Sequence, residues 1–214
     1  MKTRSTLSVL TLLALFGLVP PAFAAGLLDS YVQFKGGVYS PSATFNLSNV
    51  NVETTFDGET QTGFSGEIAV GHYFLPTLAL ELGVGYFKGK GSIATTPVRP
   101  VDFNAVPIIL SARALIPAGP VNPYGELGVG AYFTSFNVTD NLNSFSGNTT
   151  FGLHAGAGVN VNISPRAYLG LSERYVWANP NFGNQKIRLN DTEFAMNGFK
   201  LNGFTTSLAL GLTF

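Results

Sequence analysis

Gly203-Phe204-Thr205-Thr206-Ser207-Leu208-Ala209-Leu210-Gly211-Leu212-Thr213-Phe214 is the last stretch of the sequence, and it alternates without a slip. Phe204, Thr206, Leu208, Leu210, Leu212 and Phe214 fall on one side, while Gly203, Thr205, Ser207, Ala209, Gly211 and Thr213 fall on the other. Side chains that change face at every residue describe a strand with a single apolar side. In a water-soluble fold such a strand at the end of the chain is a sticky edge. In a sheet closed on itself within a membrane it has no edge to expose.

The opposite end of the chain agrees. Lys2 and Arg4 precede an apolar run from Leu7 to Val19, and Ala22-Phe23-Ala24 forms a small-residue cleavage site. The expectation is a signal peptide over 1–24 and a barrel domain over 25–214. The apolar run is short for a membrane-spanning helix of roughly 20 residues. No Cys occurs anywhere, which excludes a lipoprotein anchor, disulfides and thiolate metal sites. Past Ala25 no apolar stretch is long enough for a membrane helix, so any crossing is made by strands.

Composition narrows the function classes. Only 11% of residues are charged, against 13% aromatic and 25 glycines. The 12 Lys and Arg, less Lys2 and Arg4, stand against 12 Asp and Glu, so the exported chain is slightly acidic. Nucleic acid, which needs a basic face, is excluded as a partner.

Working back from the C-terminus, the same alternation recurs in segments near the ten residues that a tilted strand needs to cross a bilayer. They are Tyr31–Ser40, Gly63–Phe74, Thr77–Lys88, Asn104–Ile116, Pro123–Ser135, Thr150–Asn162 and Arg166–Trp177, with the closing strand as the eighth. The connections alternate as well. Leu75-Pro76, Pro117–Asn122 and Ile163–Pro165 are short and contain Pro, whereas Pro41–Thr62, Gly89–Phe103, Phe136–Thr149 and Ala178–Phe199 are long and polar. The predicted fold is all-β: an eight-stranded antiparallel up-and-down transmembrane β-barrel, with short turns and both termini in the periplasm.

Parity assigns the faces. On the lipid side, Phe64, Tyr86, Phe133, Phe151, Trp177 and Phe204 come near the long-loop ends, and Phe74 and Phe214 near the short turns. Two aromatic girdles mark the two interfaces of such barrels. Aromatic filling of a soluble sandwich core fits less well, because these positions sit at strand ends. Two residues fit badly. Pro107 lies inside the fourth segment, which calls for a bulge or a strand start near Ile108, and Glu173 falls on the lipid face by parity, which calls for a place above the hydrocarbon or a bulge that turns it inward.

An eight-stranded barrel has room inside for side chains only. Parity sends Lys35, Glu67, Glu81, Arg113, Glu126, His154 and Arg174 inward. Arg113 and Glu126 are opposite across a short turn, and a hairpin about Ser164 sets His154 against Arg174. Opposite charges out of water pair, because an unpaired one costs several kcal/mol. The expectation is a structural ion-pair plug rather than a substrate site. Gly83-Val84-Gly85 and Gly156-Ala157-Gly158 lack the helix and Lys of a phosphate loop, and are read as glycines relieving crowding in a narrow bore. His72 lies near a short turn and His154 has no adjacent Ser in the sequence, so no nucleophile and base stand together. Neither histidine has a partner set for a metal, and no cofactor is expected.

The closing strand with Leu208, Leu210, Leu212 and Phe214, together with Gly66-Glu67-Ile68-Ala69-Val70-Gly71, Tyr73-Phe74-Leu75-Pro76 and Leu78-Ala79-Leu80-Glu81-Leu82-Gly83, resembles the small bacterial outer-membrane β-barrels of the OmpA, OmpX and OmpW type and their porin-like relatives. The resemblance covers essentially all of 25–214. It implies outer-membrane lipid as surroundings and the barrel assembly machinery as a partner during biogenesis, with the Phe-terminated strand as its signal. It also implies a structural or surface-interaction role through four long extracellular loops. The alternative is a narrow channel or transporter for small or hydrophobic solutes. Barrels that modify lipid A are similar in fold only, and the ligand of the loops is not readable from these residues.

Overall fold

Alternation over so many short segments leaves each strand with one apolar and one polar side, and the chain satisfies both by rolling up. The computed structural model describes residues 29–42, 45–49, 55–93, 99–138, 144–146, 149–180, 186–189, 192–197 and 201–214. The expected signal peptide and its cleavage site lie outside them. Among the described residues twelve strands are present: β1 Ser30–Pro41, β2 Phe45–Asn49, β3 Thr55–Leu75, β4 Leu78–Ile93, β5 Arg99–Leu115, β6 Val121–Val138, β7 Ser144–Ser146, β8 Thr150–Ser164, β9 Ala167–Ala178, β10 Lys186–Leu189, β11 Thr192–Asn197 and β12 Gly203–Thr213. Eight of them close a cylinder. β1 pairs with β3 on one side and β12 on the other, and the ring continues through β9, β8, β6, β5 and β4 back to β3, antiparallel throughout. At the seam Ser30 and Phe214 exchange both backbone hydrogen bonds, at 3.0 and 2.8 Å, so the last residue is fully tied in.

The apolar side faces out. Phe34, Ile68, Val84, Leu110, Leu127, Leu171, Leu208 and Leu210 are all exposed along the outer wall. So are Phe64, Phe74, Tyr86, Phe133, Phe151, Trp177, Phe204 and Phe214. The first, third to sixth and seventh of these rings reach toward the long-loop end, and Phe74 and Phe214 lie at the short-turn end. The inverse of a soluble protein results: Lys35, Glu67, Glu81, Arg113, Glu126 and Arg174 are buried.

Inward glycines make room for aromatic rings. A Cβ on Gly71 would meet the Tyr31 ring at 2.1 Å, and one on Gly211 would meet the Tyr168 ring at 2.0 Å. A glycine beneath each ring lets a narrow bore hold full-sized tyrosines. In the turn between β5 and β6, Gly119 has φ 79°, a conformation that costs a residue without Cβ nothing.

The expectation for Pro107 needs correction, whereas parity holds for Glu173. Pro107 causes neither a bulge nor a late start, because β5 begins at Arg99 and keeps one register with β4 on either side of the proline. Pairing lapses only between Val84↔Ile108 and Phe87↔Ala105. The ring fits because its partner position is Gly85, where a Cβ would stand 3.1 Å from Pro107 Cγ. Pro107 keeps its pairing with Tyr132 on the other flank. Glu173 is not turned inward: it keeps register with Ala157 and Thr206 and is exposed on the outer face.

The long connections are not simply loops. β3 to β6 run on past the rim of β1, β8, β9 and β12, and β2, β10 and β11 add to the extension in the order β3-β2-β11-β10. Alternation continues through these polar-looking stretches. The register puts Leu47, Phe56, Phe194, Met196 and Ile187 on one face, and Ser48, Asp57, Glu193 and Arg188 on the other. Gly58 pairs with Ile93, so the extension joins β3 and β4 without a break in the sheet.

Candidate functional site

Six inward charges come from six strands: Lys35 from β1, Glu67 from β3, Glu81 from β4, Arg113 from β5, Glu126 from β6 and Arg174 from β9. The structure links them into a closed ring of alternating sign. Lys35 Nζ lies 2.7 Å from Glu67 Oε1 and 2.9 Å from Glu81 Oε1. Arg113 Nη1 reaches Glu81 Oε2 at 2.7 Å, and its Nε lies 3.7 Å from Glu126 Oε2. Arg174 Nε donates to Glu126 Oε1 at 2.6 Å and Nη1 to Glu67 Oε2 at 2.5 Å, which returns to the start. Every carboxylate touches two cations and every cation two carboxylates, so the ring carries no net charge. Its members are at most 9% exposed. Burying charges is costly unless each is paired and hydrogen-bonded; every charge here is paired, while Arg113 Nε and Nη2 and Glu126 Oε2 have no hydrogen-bond partner.

The ring is held from one side by aromatic and amide groups. Glu81 Oε2 accepts from Tyr31 Oη at 2.7 Å and from Gln33 Nε2. Gln33 Oε1 in turn accepts from Tyr168 Oη at 3.1 Å and Arg113 Nη1 at 3.3 Å. The Arg113 guanidinium lies over the Tyr124 ring, 3.8 Å from its centroid, where the ring's negative face adds to its stabilisation. Toward the long-loop end the bore turns apolar. Tyr39 stacks on Phe87 with centroids 5.3 Å apart and meets Phe103 edge-on at 6.0 Å, and Val176, Leu201 and Tyr132 are fully buried beside them. Above that layer Asn202 fastens the rim: its carbonyl accepts from Ser42 N at 2.8 Å and its Oδ1 from Ala178 N at 3.0 Å. The bore is thus filled in three layers, tyrosines, ionic ring and aromatic cap.

Two expected contacts turn out differently. His154 is not set against Arg174: it pairs in register with Val176, and Arg174 with Gly156, because the β8–β9 hairpin turns at Pro165-Arg166 rather than about Ser164. His154 also does not lack a serine. Its Nε2 lies 2.9 Å from Ser111 Oγ, which arrives from β5, a strand not adjacent to β8. Ser111 is 1% and His154 2% exposed, so the pair is buried inside the bore. Gln33, Ser111 and Tyr168 were readable as inward by parity, and Tyr31 and Tyr124 by extending that parity. Their contacts with the charges depend on closure of the barrel. Among the described residues no group of three or more His, Cys, Asp or Glu is placed to hold a metal.

The same fold recurs among known proteins. Residues 9–210 match the model of the outer membrane protein beta-barrel domain. OprG from Pseudomonas aeruginosa superposes with a TM-score of 0.69 at 15% identity, over 87% of this chain and 96% of that one. The outer membrane protein AlkL in lipid bilayers gives 0.59 at 19% identity, over 92% and 96%. Neisserial surface protein A gives 0.50 at 21% identity, over 86% and 95%. At these identities the likeness is one of fold alone. No curated protein matches the chain.

Proposed function

Because the chain belongs to the outer membrane protein beta-barrel domain family and so resides in the bacterial outer membrane, we propose that it is a sealed barrel whose work is done at one end. The short turns face the periplasm, and the extended end formed by β2 to β7, β10 and β11 faces outward as a surface for contact with an external partner. The closed charge ring carries this reading. An ion crossing the bore would have to break buried pairs that cost several kcal/mol each to separate, and then pass the aromatic cap. Catalysis is not part of this reading, since the Ser111–His154 contact lies behind the same seal.

Planar-bilayer recording tests the seal. The expected result is no unitary current from the wild-type protein. A steady current would overturn the sealed reading. Trimming the extended hairpins is expected to remove surface binding to the partner while the barrel still folds, and binding that survives the trimming would remove the contact role.

A second reading is favoured by one observation, the register that lines up Leu47, Phe56, Met196, Phe194 and Ile187 across β2, β3, β11 and β10. Such a face suits capture of small hydrophobic solutes at the outer mouth. Measured uptake of a hydrophobic solute into proteoliposomes, without ionic current, would favour it over the contact role.

A further inference from the structure

Small residues meet at one level of the bore. Ser65 on β3, Gly37 on β1, Ser207 on β12 and Ser172 on β9 follow one another in register across four neighbouring strands. All four occupy inward positions of their strands. Gly37 stays bare because a Cβ there would stand 2.0 Å from the carbonyl oxygen of Thr206. A chamber results. Ser65, Ser172 and Ser207 line it, Lys35, Glu67 and Arg174 of the charge ring border it, and so does Phe87 of the aromatic cap. It has room for about one water molecule.

The closing strand β12 supplies none of the six ring charges, and the chamber lies between its inner face and the ring. The bonds that the protein itself makes there are incomplete. Ser65 Oγ is buried without a hydrogen-bond partner. Ser172 Oγ reaches the Ser207 carbonyl only at 3.5 Å, and Thr205 Oγ1 the Arg174 carbonyl only at 3.4 Å. Lys35 Nζ has three donors and spends two, on Glu67 and Glu81. Arg174 Nη2 meets Glu67 Oε1 only at 3.4 Å. A buried hydroxyl left without a partner is costly, and small polar chambers are where proteins keep internal water.

We propose that this chamber is the site of a single structural water, which accepts from Lys35 and joins it to the hydroxyls of Ser65 and Ser207, fastening the ring to the strand that closes the barrel. The lining chooses the occupant. It supplies more donors than acceptors, which calls for a small acceptor. A halide would stand beside the Glu67 carboxylate, over a ring of no net charge, and would be buried without compensation. A polyatomic solute exceeds the space. The site lies inside the wall and does not depend on what the extended end binds.

A high-resolution crystal structure of the protein, grown in the presence of bromide, tests the assignment. The expected result is one water peak within hydrogen-bonding distance of Ser65 Oγ and Lys35 Nζ, without anomalous signal. No peak there, or an anomalous bromide peak, would overturn it. Urea unfolding in micelles gives an independent measure. Ser65→Ala removes a hydroxyl that the water uses, and is expected to raise the unfolding equilibrium constant roughly five-fold. A hydroxyl that is merely orphaned could be removed with the constant unchanged or lowered, and that result also sinks the assignment. The crystallographic measurement needs no variant, so it decides the matter even where S65A does not fold. Neither measurement reads ionic current or partner binding, so the water stands or falls apart from the function proposed above.

Discussion

Glu81 is the residue on which the bore depends most. It accepts hydrogen bonds from Tyr31, Gln33, Lys35 and Arg113, drawn from β1 and β5 onto β4. Glu81→Ala leaves two cations of a neutral ring short of a partner, and is expected to cost about 3–5 kcal/mol. Urea unfolding in micelles, followed by Trp177 emission, measures it. The glycines offer a paired comparison. Gly71→Val drives a side chain into the Tyr31 ring and is expected to cost about 1–3 kcal/mol. Gly36→Ala meets nothing within 4 Å and is expected to stay within about 0.5 kcal/mol of wild type. At this scale parity was a sufficient guide to which residues turn inward, and it selected all six members of the ring. It could not connect them. Arg113 with Glu126 and Lys35 with Glu67 face each other on neighbouring strands. Lys35 with Glu81 joins strands that are not neighbours, and so does Arg174 with Glu67, as their meeting follows from curvature that no local pattern encodes.

The strands themselves were legible wherever alternation was clean, and their cores coincide with the eight segments read from sequence. Their outer ends were not. Residues 41–62 and 178–199 are rich in Asn, Thr, Ser and Gly, and that polarity masked a second alternation in which only every other residue is apolar. β2 and β11 exploit it by pairing with each other, a long-range match that hairpin rules cannot find. Pro107 misled for the opposite reason. A missing N–H is costly in a central strand, yet the neighbouring strand offers Gly85 there, and the ladder skips two pairs without losing register. Pro107→Ala restores the donor, and is expected to change stability by less than about 1 kcal/mol while adding a slowly exchanging amide at position 107 and slowing exchange at Gly85. Rapid exchange at both in the variant would show that the lapse in pairing has another origin.

For the molecule as a whole, exposure and charge are arranged as for a solvent of hydrocarbon. Leu208 is 69% and Phe151 81% exposed, whereas Arg113 is 1% exposed. Depth-dependent quenching by brominated lipids is therefore expected to place Trp177 close to the headgroups, and stronger quenching from deep than from shallow bromines would contradict the girdle. The wall is joined by a pairing between its earliest and latest strands, Tyr31 lying opposite Thr213. That seam has a kinetic consequence. Nothing local nucleates it, because nearly the full length of chain must be delivered before the first strand meets its mate, and contacts so distant in sequence form slowly. Until then the sheet is an open trough, with its cations and carboxylates bare toward whatever lies beside it. Escort and templated insertion are thus demands made by the connectivity itself, well before any question of what the finished cylinder does.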